Sequence, residues 1–361
     1  MSRHLVIMAA GTGGHIMPGL AVAREMQKRG WSVSWLGTTQ GMENTLVPPS
    51  HIPLDCIRFS GMRGKGLRHT LTGAFLLLAA FFSCFRILQS RAADAVLGMG
   101  GYVCLPGGWM AKLLGKPLML MNADAALLLS NKTLLSVADR IAFGFPSQAA
   151  RTIKQAVITG NPVRTEITDI PPPSVRFKGR SGPLRLLIVG GSLGARALNE
   201  VIPGALARLS ETSRPIVIHQ AGNANYQTVQ TAYQKAQVCA DVRPFIDDMA
   251  TELAQCDLVI CRAGAITISE LCAAGVASVL VPLVVSTTSH QQDNAQWMAN
   301  QEAAIHIPQK EFSPERLVSL LETLNRLDLQ KMAQRARLLA LPEATRAVAN
   351  EIEAIAGKNL Q

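Results

Sequence analysis

Apolar residues in this chain gather into short blocks at residues 5–10, 95–97, 118–121, 141–143, 186–189, 215–219, 258–261 and 278–282, broken only by His219 and Ser278 at block ends. A strand covered on both faces has no polar side to show, so such blocks predict the central strands of parallel sheets. Between them, stretches such as 20–29 and 198–209 space their apolar residues three and four apart, which predicts amphipathic helices. Strand and helix alternate from end to end, and that order predicts an α/β protein of doubly wound parallel sheets with ligands held at the carboxyl ends of the strands.

The layout occurs twice. Residues 5–10 run into Gly11-Thr12-Gly13-Gly14-His15, and residues 186–189 run into Gly190-Gly191-Ser192-Leu193-Gly194-Ala195, each followed by a helical stretch. Between the two lie Gly160-Asn161-Pro162-Val163-Arg164, the run Pro171-Pro172-Pro173, and a Gly/Pro-rich basic stretch at 178–183, composition typical of a linker. A chain of 361 residues exceeds what one core usually supports. Two Rossmann-like domains are therefore expected, 1–162 and 163–340, facing a cleft that holds substrate, and residues 343–355 predict a further helix.

Composition then raises the question of a membrane. Hydrophobic residues make up 48% of the chain and charged residues 17%. The longest uncharged apolar run, 71–85, ends at Arg86 and falls short of the ~20 residues that cross a bilayer. The N-terminus passes from Met1-Ser2-Arg3-His4 directly into a strand block, so no export signal is expected. Seven scattered cysteines without C-x-x-C spacing predict neither a disulfide framework nor a zinc site, which fits a reducing cytoplasm.

Net charge is +10, and it is unevenly placed. Residues 1–180 hold 20 Lys and Arg against 8 Asp and Glu, whereas 181–361 hold 15 against 17. A positive N-terminal half implies a polyanionic partner. Arg63, Lys65, Arg68, Arg86 and Arg91 flank the apolar run from Ala74 to Phe85 instead of alternating with stacking aromatics, which favours an anionic membrane surface over nucleic acid. A helix apolar on nearly all faces is otherwise simply buried.

A glycine turn that opens a helix offers unpaired backbone N–H groups and a positive dipole end to phosphate, although glycines also serve tight turns with no ligand. Three such turns are predicted, the third being Gly98-Met99-Gly100-Gly101-Tyr102 after the strand block 95–97. Gly11-Thr12-Gly13-Gly14-His15-Ile16 ends in Ile where a dinucleotide fingerprint has glycine, no G-x-x-x-x-G-K-[ST] occurs, and no D-x-D is present. After the block 258–261, Arg262-Ala263-Gly264 leads into Ala265, Ile266, Thr267, Ile268, Ser269 and Glu270. Glu270 there suits a carboxylate accepting from two ribose hydroxyls, and Thr267-x-x-Glu270 equally reads as a capping box.

Taken in order, Gly11-Thr12-Gly13-Gly14-His15-x-x-Pro18-Gly19, Ser60-Gly61-x-Arg63-Gly64-Lys65-Gly66, Gly98-Met99-Gly100-Gly101-Tyr102, Gly160-Asn161-Pro162-Val163-Arg164, Gly190-Gly191-Ser192-x-Gly194-Ala195, Phe245-Ile246-Asp247-Asp248-Met249 and Ser269-Glu270 resemble the peptidoglycan N-acetylglucosaminyltransferases of glycosyltransferase family 28 over essentially the whole chain. The resemblance implies a GT-B fold, no cofactor and no catalytic metal. It also implies transfer of GlcNAc from UDP-GlcNAc to the C4 hydroxyl of MurNAc in lipid I, giving lipid II at the cytoplasmic face of the cell membrane, with other cell-wall synthesis proteins as further partners. The N-terminal domain would meet lipid and acceptor through Thr12, Gly13 and Gly14, and a C-terminal helix at about 341–358 would return to it.

By the same resemblance the C-terminal domain would hold the donor. Ile246 would meet uracil through its backbone and Glu270 the ribose. Ser192, Arg164 and the turn from Ala265 to Ser269 would meet the diphosphate, and Gln291, in His290-Gln291-x-x-Asn294-Ala295, the sugar. His15 is the candidate base, with closure of the helix start or binding of the acceptor diphosphate as its other roles.

Two stretches depart from the family. Met121-Asn122-Ala123-Asp124 stands where relatives carry His-Glu-Gln-Asn, which puts Asp124 in the place of a sugar-contacting asparagine and makes it a second candidate base. Val284-Val285-Ser286-Thr287-Thr288-Ser289 replaces a charged loop. Three other functions share these residues: a UDP-GlcNAc-dependent enzyme with another lipid acceptor, a UDP-GlcNAc epimerase, and a peripheral scaffold without activity.

Overall fold

The structure is a computed structural model that describes residues 2–59, 67–191, 193–283 and 290–358, with backbone alone for 67–75 and 358. The motif at 60–66, Ser192 and the loop 284–289 lie outside the described residues, as do the side chains at 71–75. The chain forms two compact units, Met1–Arg164 with Leu341–Gln361, and Thr165–Ala340.

In the first unit the strands are β1 (His4–Ala9), β2 (Ser32–Thr38), β3 (Leu54–Ile57), β4 (Ala95–Gly100), β5 (Leu118–Asn122), β6 (Arg140–Phe143) and β7 (Ala156–Ile158). They pair in parallel in the order β3-β2-β1-β4-β5-β6-β7. Alternation along β1 sends Leu5, Ile7 and Ala9 to one apolar cluster and Val6, Met8 and Ala10 to another, so both faces of the sheet are covered. The first cluster includes the helices Gly13–Lys28 and Ala344–Lys358, the second the helices Leu67–Ser90 and Cys104–Leu113. Trp35 is fully buried, and its indole N–H donates to the Ala9 carbonyl at 2.9 Å. A side chain on Gly19 would come within 2.7 Å of that indole, so the glycine lets the first helix lie against it.

The second unit repeats the plan with β8 (Arg185–Val189), β9 (Ile216–Gln220), β10 (Asp241–Arg243), β11 (Leu258–Cys261), β12 (Ser278–Leu280) and β13 (Ile305–His306), all parallel in the order β10-β9-β8-β11-β12-β13. Strand order reverses between β1 and β4 in one sheet and between β8 and β11 in the other. Crevices open outside the carboxyl ends of strands at such switch points. All three predicted glycine turns, and the turn 262–264, leave these four strands.

Some expectations are corrected. Gly98, Met99 and Gly100 belong to β4 itself, and the turn begins only at Gly101. The β1–β4 register passes from Met8↔Gly98 to Ala9↔Gly100, so Met99 is an extra residue in β4 of the kind that re-aims a strand end. Residues 171–183 have the composition of a linker and yet pack onto the second unit. There Arg176 donates to the Ala274 carbonyl at 3.0 Å, and Arg180 pairs at 2.8 Å with Asp257, a buried carboxylate that also meets Arg326 at 3.1 Å. The helix Leu67–Ser90 is not wholly buried: Ala80, Cys84 and Leu88 face the core, while Leu76, Leu78 and Phe82 are 44%, 68% and 62% exposed. Among the described residues, no helix is long and apolar enough to cross a membrane.

Candidate active site

At the first switch point, β1 ends in a turn whose Gly11 holds φ +98°, and the helix Gly13–Lys28 starts with Thr12 as its extended N-cap. Thr12 makes no side-chain cap, and the first helical turn carries no acidic residue, so the amides of Gly13 and Gly14 and the helix dipole remain available to an anion. The turn is held by a residue that sequence reading did not single out. Glu43 is fully buried and accepts from the Gly11 amide at 3.0 Å and from the amide and hydroxyl of Thr38, both at 2.7 Å. Burial pushes its carboxyl up, but the bonds from Thr38 and Gly11 outweigh that and hold it below the usual carboxylate range. Side chains on Gly37 or Gly41 would run into Glu43, so the two glycines make its berth.

His15 lies in the first helical turn, with its ring against the end of β4. A side chain on Gly100 would meet the ring at 2.6 Å, and one on Gly101 would overlap the Ala10 carbonyl, which accounts for the glycine pair. His15 Nδ1 is 3.3 Å from the Ala10 carbonyl oxygen. A carbonyl only accepts, so Nδ1 carries the proton and the ring's lone pair sits on Nε2. Burial lowers the His15 pKa, against smaller upward effects of the Ala10 carbonyl and the charge of Asp124. The imidazole is therefore neutral at pH 7, the form that can take a proton.

Asp124 follows β5, the strand next to β4, so His15, the turn at Gly101 and Asp124 gather at the carboxyl ends of three neighbouring strands. The side chain of Asn122 shapes the loop that carries Asp124. Its amide nitrogen donates to the carbonyls of Asp124 at 2.8 Å and Ala126 at 3.0 Å, and its oxygen accepts from the Leu128 amide at 2.9 Å.

At the second switch point, β11 ends at Cys261 and the helix Ala265–Ala274 begins with Gly264 as N-cap. Thr267 is thus the third helical residue rather than the N-cap, and the capping-box alternative for Thr267 and Glu270 falls away. The Ile268 amide already donates to the Gly264 carbonyl at 2.9 Å, which leaves the amides of Ala265, Ile266 and Thr267 as the open donors of this helix start. Ser269 turns its hydroxyl back to the Ala265 carbonyl at 3.0 Å. Glu270 is half-buried on the same helix.

The flanking residues are fixed by cross-links. Asn294, buried in the helix His290–Ala299, donates to the Ala263 carbonyl at 3.1 Å and so ties that helix to the turn before Ala265. Gln291 Oε1 accepts from the Leu283 amide at 2.9 Å, which fixes the orientation of its side-chain amide. The Ile246 amide donates at 3.0 Å to Gln220 Oε1, a second residue without any sequence signal. Arg164 closes the first stretch of the first unit and is partly exposed. Among the described residues, no group of three or more His, Cys, Asp or Glu is placed to hold a metal ion, and all seven cysteines are free thiols.

Comparison with known proteins agrees with two glycine-turn units. Residues 5–143 match the glycosyltransferase family 28 N-terminal domain and residues 185–350 the glycosyltransferase family 28 C-terminal domain. A protein of Methylibium petroleiphilum named UDP-N-acetylglucosamine--N-acetylmuramyl-(pentapeptide) pyrophosphoryl-undecaprenol N-acetylglucosamine transferase is 64% identical over 99% of both chains. A protein of the same name from Chromobacterium violaceum is 59% identical, again over 99% of both. The crystal structure of Acinetobacter baumannii MurG superposes with a TM-score of 0.83 at 40% identity, covering 98% of this chain and 99% of that one. With both family models matched and relatives this similar along their whole length, the chain belongs to glycosyltransferase family 28 and has the GT-B fold.

Proposed function

We propose that this glycosyltransferase moves N-acetylglucosamine from UDP-GlcNAc to the C4 hydroxyl of the muramyl sugar in undecaprenyl-pyrophosphoryl-MurNAc-pentapeptide, forming the disaccharide-bearing lipid precursor of peptidoglycan. The observation that carries this function is the 64% identity, over 99% of both chains, to a transferase of that name.

The second unit takes the donor. The open amides of Ala265, Ile266 and Thr267 bind the diphosphate, Glu270 accepts from the ribose, the Ile246 backbone meets uracil, and Gln291 meets the sugar. Ser192, and Arg164 at the end of the first unit, are assigned to the same diphosphate by the family resemblance alone. The first unit takes the acceptor, with the amides of Gly13 and Gly14 on its diphosphate. As the acceptor's O4 attacks the anomeric carbon, its proton passes to His15 Nε2, the new C1–O4 bond forms, and the C1–O bond to UDP breaks with its electron pair leaving on the diphosphate. The helix start at Ala265 stabilises that growing charge without a metal. Asp124 accommodates the imidazolium that results. Leu76, Leu78 and Phe82, with Arg86 stacked 6.0 Å from the Phe82 ring, dock the first unit on an anionic membrane where the lipid acceptor resides.

The test is transfer of labelled GlcNAc from UDP-GlcNAc to a short-chain lipid I analogue in excess EDTA. Robust product is expected. Donor binding without transfer would point to another acceptor, and transfer abolished by EDTA would overturn the metal-free chemistry. The pH profile is a second test. A base must be deprotonated, and burial lowers the His15 pKa from its ordinary 6.5, so kcat should be flat around pH 7 and its acid limb should lie below that ordinary value. Asp124→Asn removes an upward influence on His15 and should move that acid limb to still lower pH. A limb above 6.5 would remove His15 from the role.

A further inference from the structure

Strand β9 lies between β8, which feeds the turn 190–194, and β10, which feeds the segment 244–246. Its last residue touches both. The Gln220 carbonyl accepts from the Gly190 amide at 3.4 Å, and its side-chain oxygen accepts from the Ile246 amide at 3.0 Å, with Gln220 and Ile246 both buried. The next residues continue the seam. The Ala221 amide donates to the Arg243 carbonyl at 2.9 Å, the Gly222 amide to the Pro244 carbonyl at 3.1 Å, and Asn225 Nδ2 to the Leu193 carbonyl at 3.2 Å. A side chain on Gly194 would overlap the Ala221 carbonyl, so turn and strand end are in direct contact.

Behind the seam stands a buried polar triad whose proton positions follow from its partners. Asn199 Nδ2 donates to the Ala221 carbonyl at 3.1 Å, which turns Asn199 Oδ1 toward His219 Nε2 at 3.1 Å and makes that nitrogen the donor. His219 Nδ1 then accepts from the Tyr233 hydroxyl at 3.0 Å. Every member is satisfied, so the end of β9 is rigid. Past Gly222, however, nothing in this triad reaches Ile246. Among the described residues, the Gln220 side chain is the one that accepts from the Ile246 amide.

We propose that Gln220 is a positioning residue for the donor, which holds the segment at Ile246 in the shape that reads the nucleobase while its own backbone secures the turn on the phosphate side. This inference rests on the uridine-nucleotide donor proposed above and names a residue that supports its recognition without touching it. A segment fixed before the nucleotide arrives spares the ordering cost of binding, and that saving applies to the base it fits. Loss of the Gln220 acceptor should therefore weaken base-specific affinity and leave the diphosphate contribution in place.

The experiment measures binding of UDP and of CDP, each alone, to the full-length protein by calorimetry, together with kcat and the KM for UDP-GlcNAc. Gln220→Met keeps the length and removes the acceptor, Gln220→Asn withdraws it by one methylene, and Gln220→Glu keeps an oxygen at the same reach. Met and Asn should each weaken UDP roughly tenfold, about one hydrogen bond's worth, change CDP by less than twofold, and raise KM with kcat nearly constant. Glu should restore the UDP preference. Tyr233→Phe, which loosens the triad alone, should lower Tm without changing the UDP-to-CDP ratio. A ratio unchanged in both Gln220→Met and Gln220→Asn, while wild type prefers UDP, overturns the role of Gln220 and leaves the proposed function standing. Wild type without any preference for UDP over CDP overturns the uridine donor and this inference with it.

Discussion

Replacing His15 with alanine should lower the rate of transfer by about 10²–10⁴-fold, the usual contribution of a general base, while UDP-GlcNAc still binds with wild-type affinity. The expectation follows from three features of one side chain. The Ala10 carbonyl fixes the proton on Nδ1, burial keeps the ring neutral, and the position in the first helical turn places Nε2 among the carboxyl ends of β1, β4 and β5. The donor groups at Ile246, Ala265, Glu270 and Gln291 all belong to the other unit, so their affinity should not depend on residue 15. Single-turnover transfer with saturating donor and acceptor separates the outcomes. A rate loss at saturation supports the base, whereas a wild-type rate with a raised KM for the lipid acceptor would make His15 a ligand of the acceptor diphosphate instead.

Ending the chain after Ala340 should unfold the first unit. The helix Ala344–Lys358 buries Val348, Ala349, Ile352, Ile355 and Ala356 in the cluster that also contains Leu5, Ile7 and Ile16. At about 1.5–3 kcal/mol for each large aliphatic side chain, Val348, Ile352 and Ile355 together are worth roughly 5–9 kcal/mol before ordering entropy, against about 5–15 kcal/mol for the stability of a whole domain. Ion pairs add less: Arg29 to Glu353 at 2.7 Å and Arg140 to Glu351 at 3.1 Å are partly exposed and contribute at most about 1 kcal/mol each. Calorimetry should show the transition of the first unit lost or lowered by more than about 10 °C, at roughly 2–4 °C per kcal/mol for a unit of this size. Ile352→Ala in the full chain should cost about 2–5 kcal/mol. An unchanged first transition in the shortened chain would mean that this helix merely rests on the surface.

The parts of the fold legible in the sequence were those where burial on both faces leaves no polar residue in a strand. Residues 258–261 match β11 at both ends, and 186–189 and 118–121 each miss their strand by one residue. β2 was not among the blocks because serines interrupt it. Ser34 is nevertheless fully buried, because its hydroxyl meets His4 Nε2 at 2.8 Å across the pair of strands, a contact between residues far apart in the chain. The edge strands β7, β10 and β13 are too short for any periodicity.

The site divides in the same way. His15 and Glu270 stood out as polar residues beside glycine turns, whereas Asp124 and Gln291 were reached only through the family resemblance. The tautomer of His15 was not legible, since it depends on a carbonyl whose orientation the fold sets. Glu43 and Gln220 carry no motif. Each acts through a bond to a backbone amide in a different element, Gly11 and Ile246, and a linear pattern cannot show which amide a distant side chain will reach. Gly98 to Tyr102 misled in the opposite direction, because glycine inside a strand reads as a turn unless the close approach of His15 to Gly100 is known.

The bond from Gly11 to Glu43 also bears on the order in which this protein is assembled. Residue 11 leaves the ribosome before residue 43, so the first strand and helix emerge while the group that clamps the turn between them has still to follow. A nascent chain stopped short of residue 43 therefore holds the glycines and His15 in sequence but not in shape. The clamp on the turn closes only when β2 and the helix Glu43–Leu46 have docked.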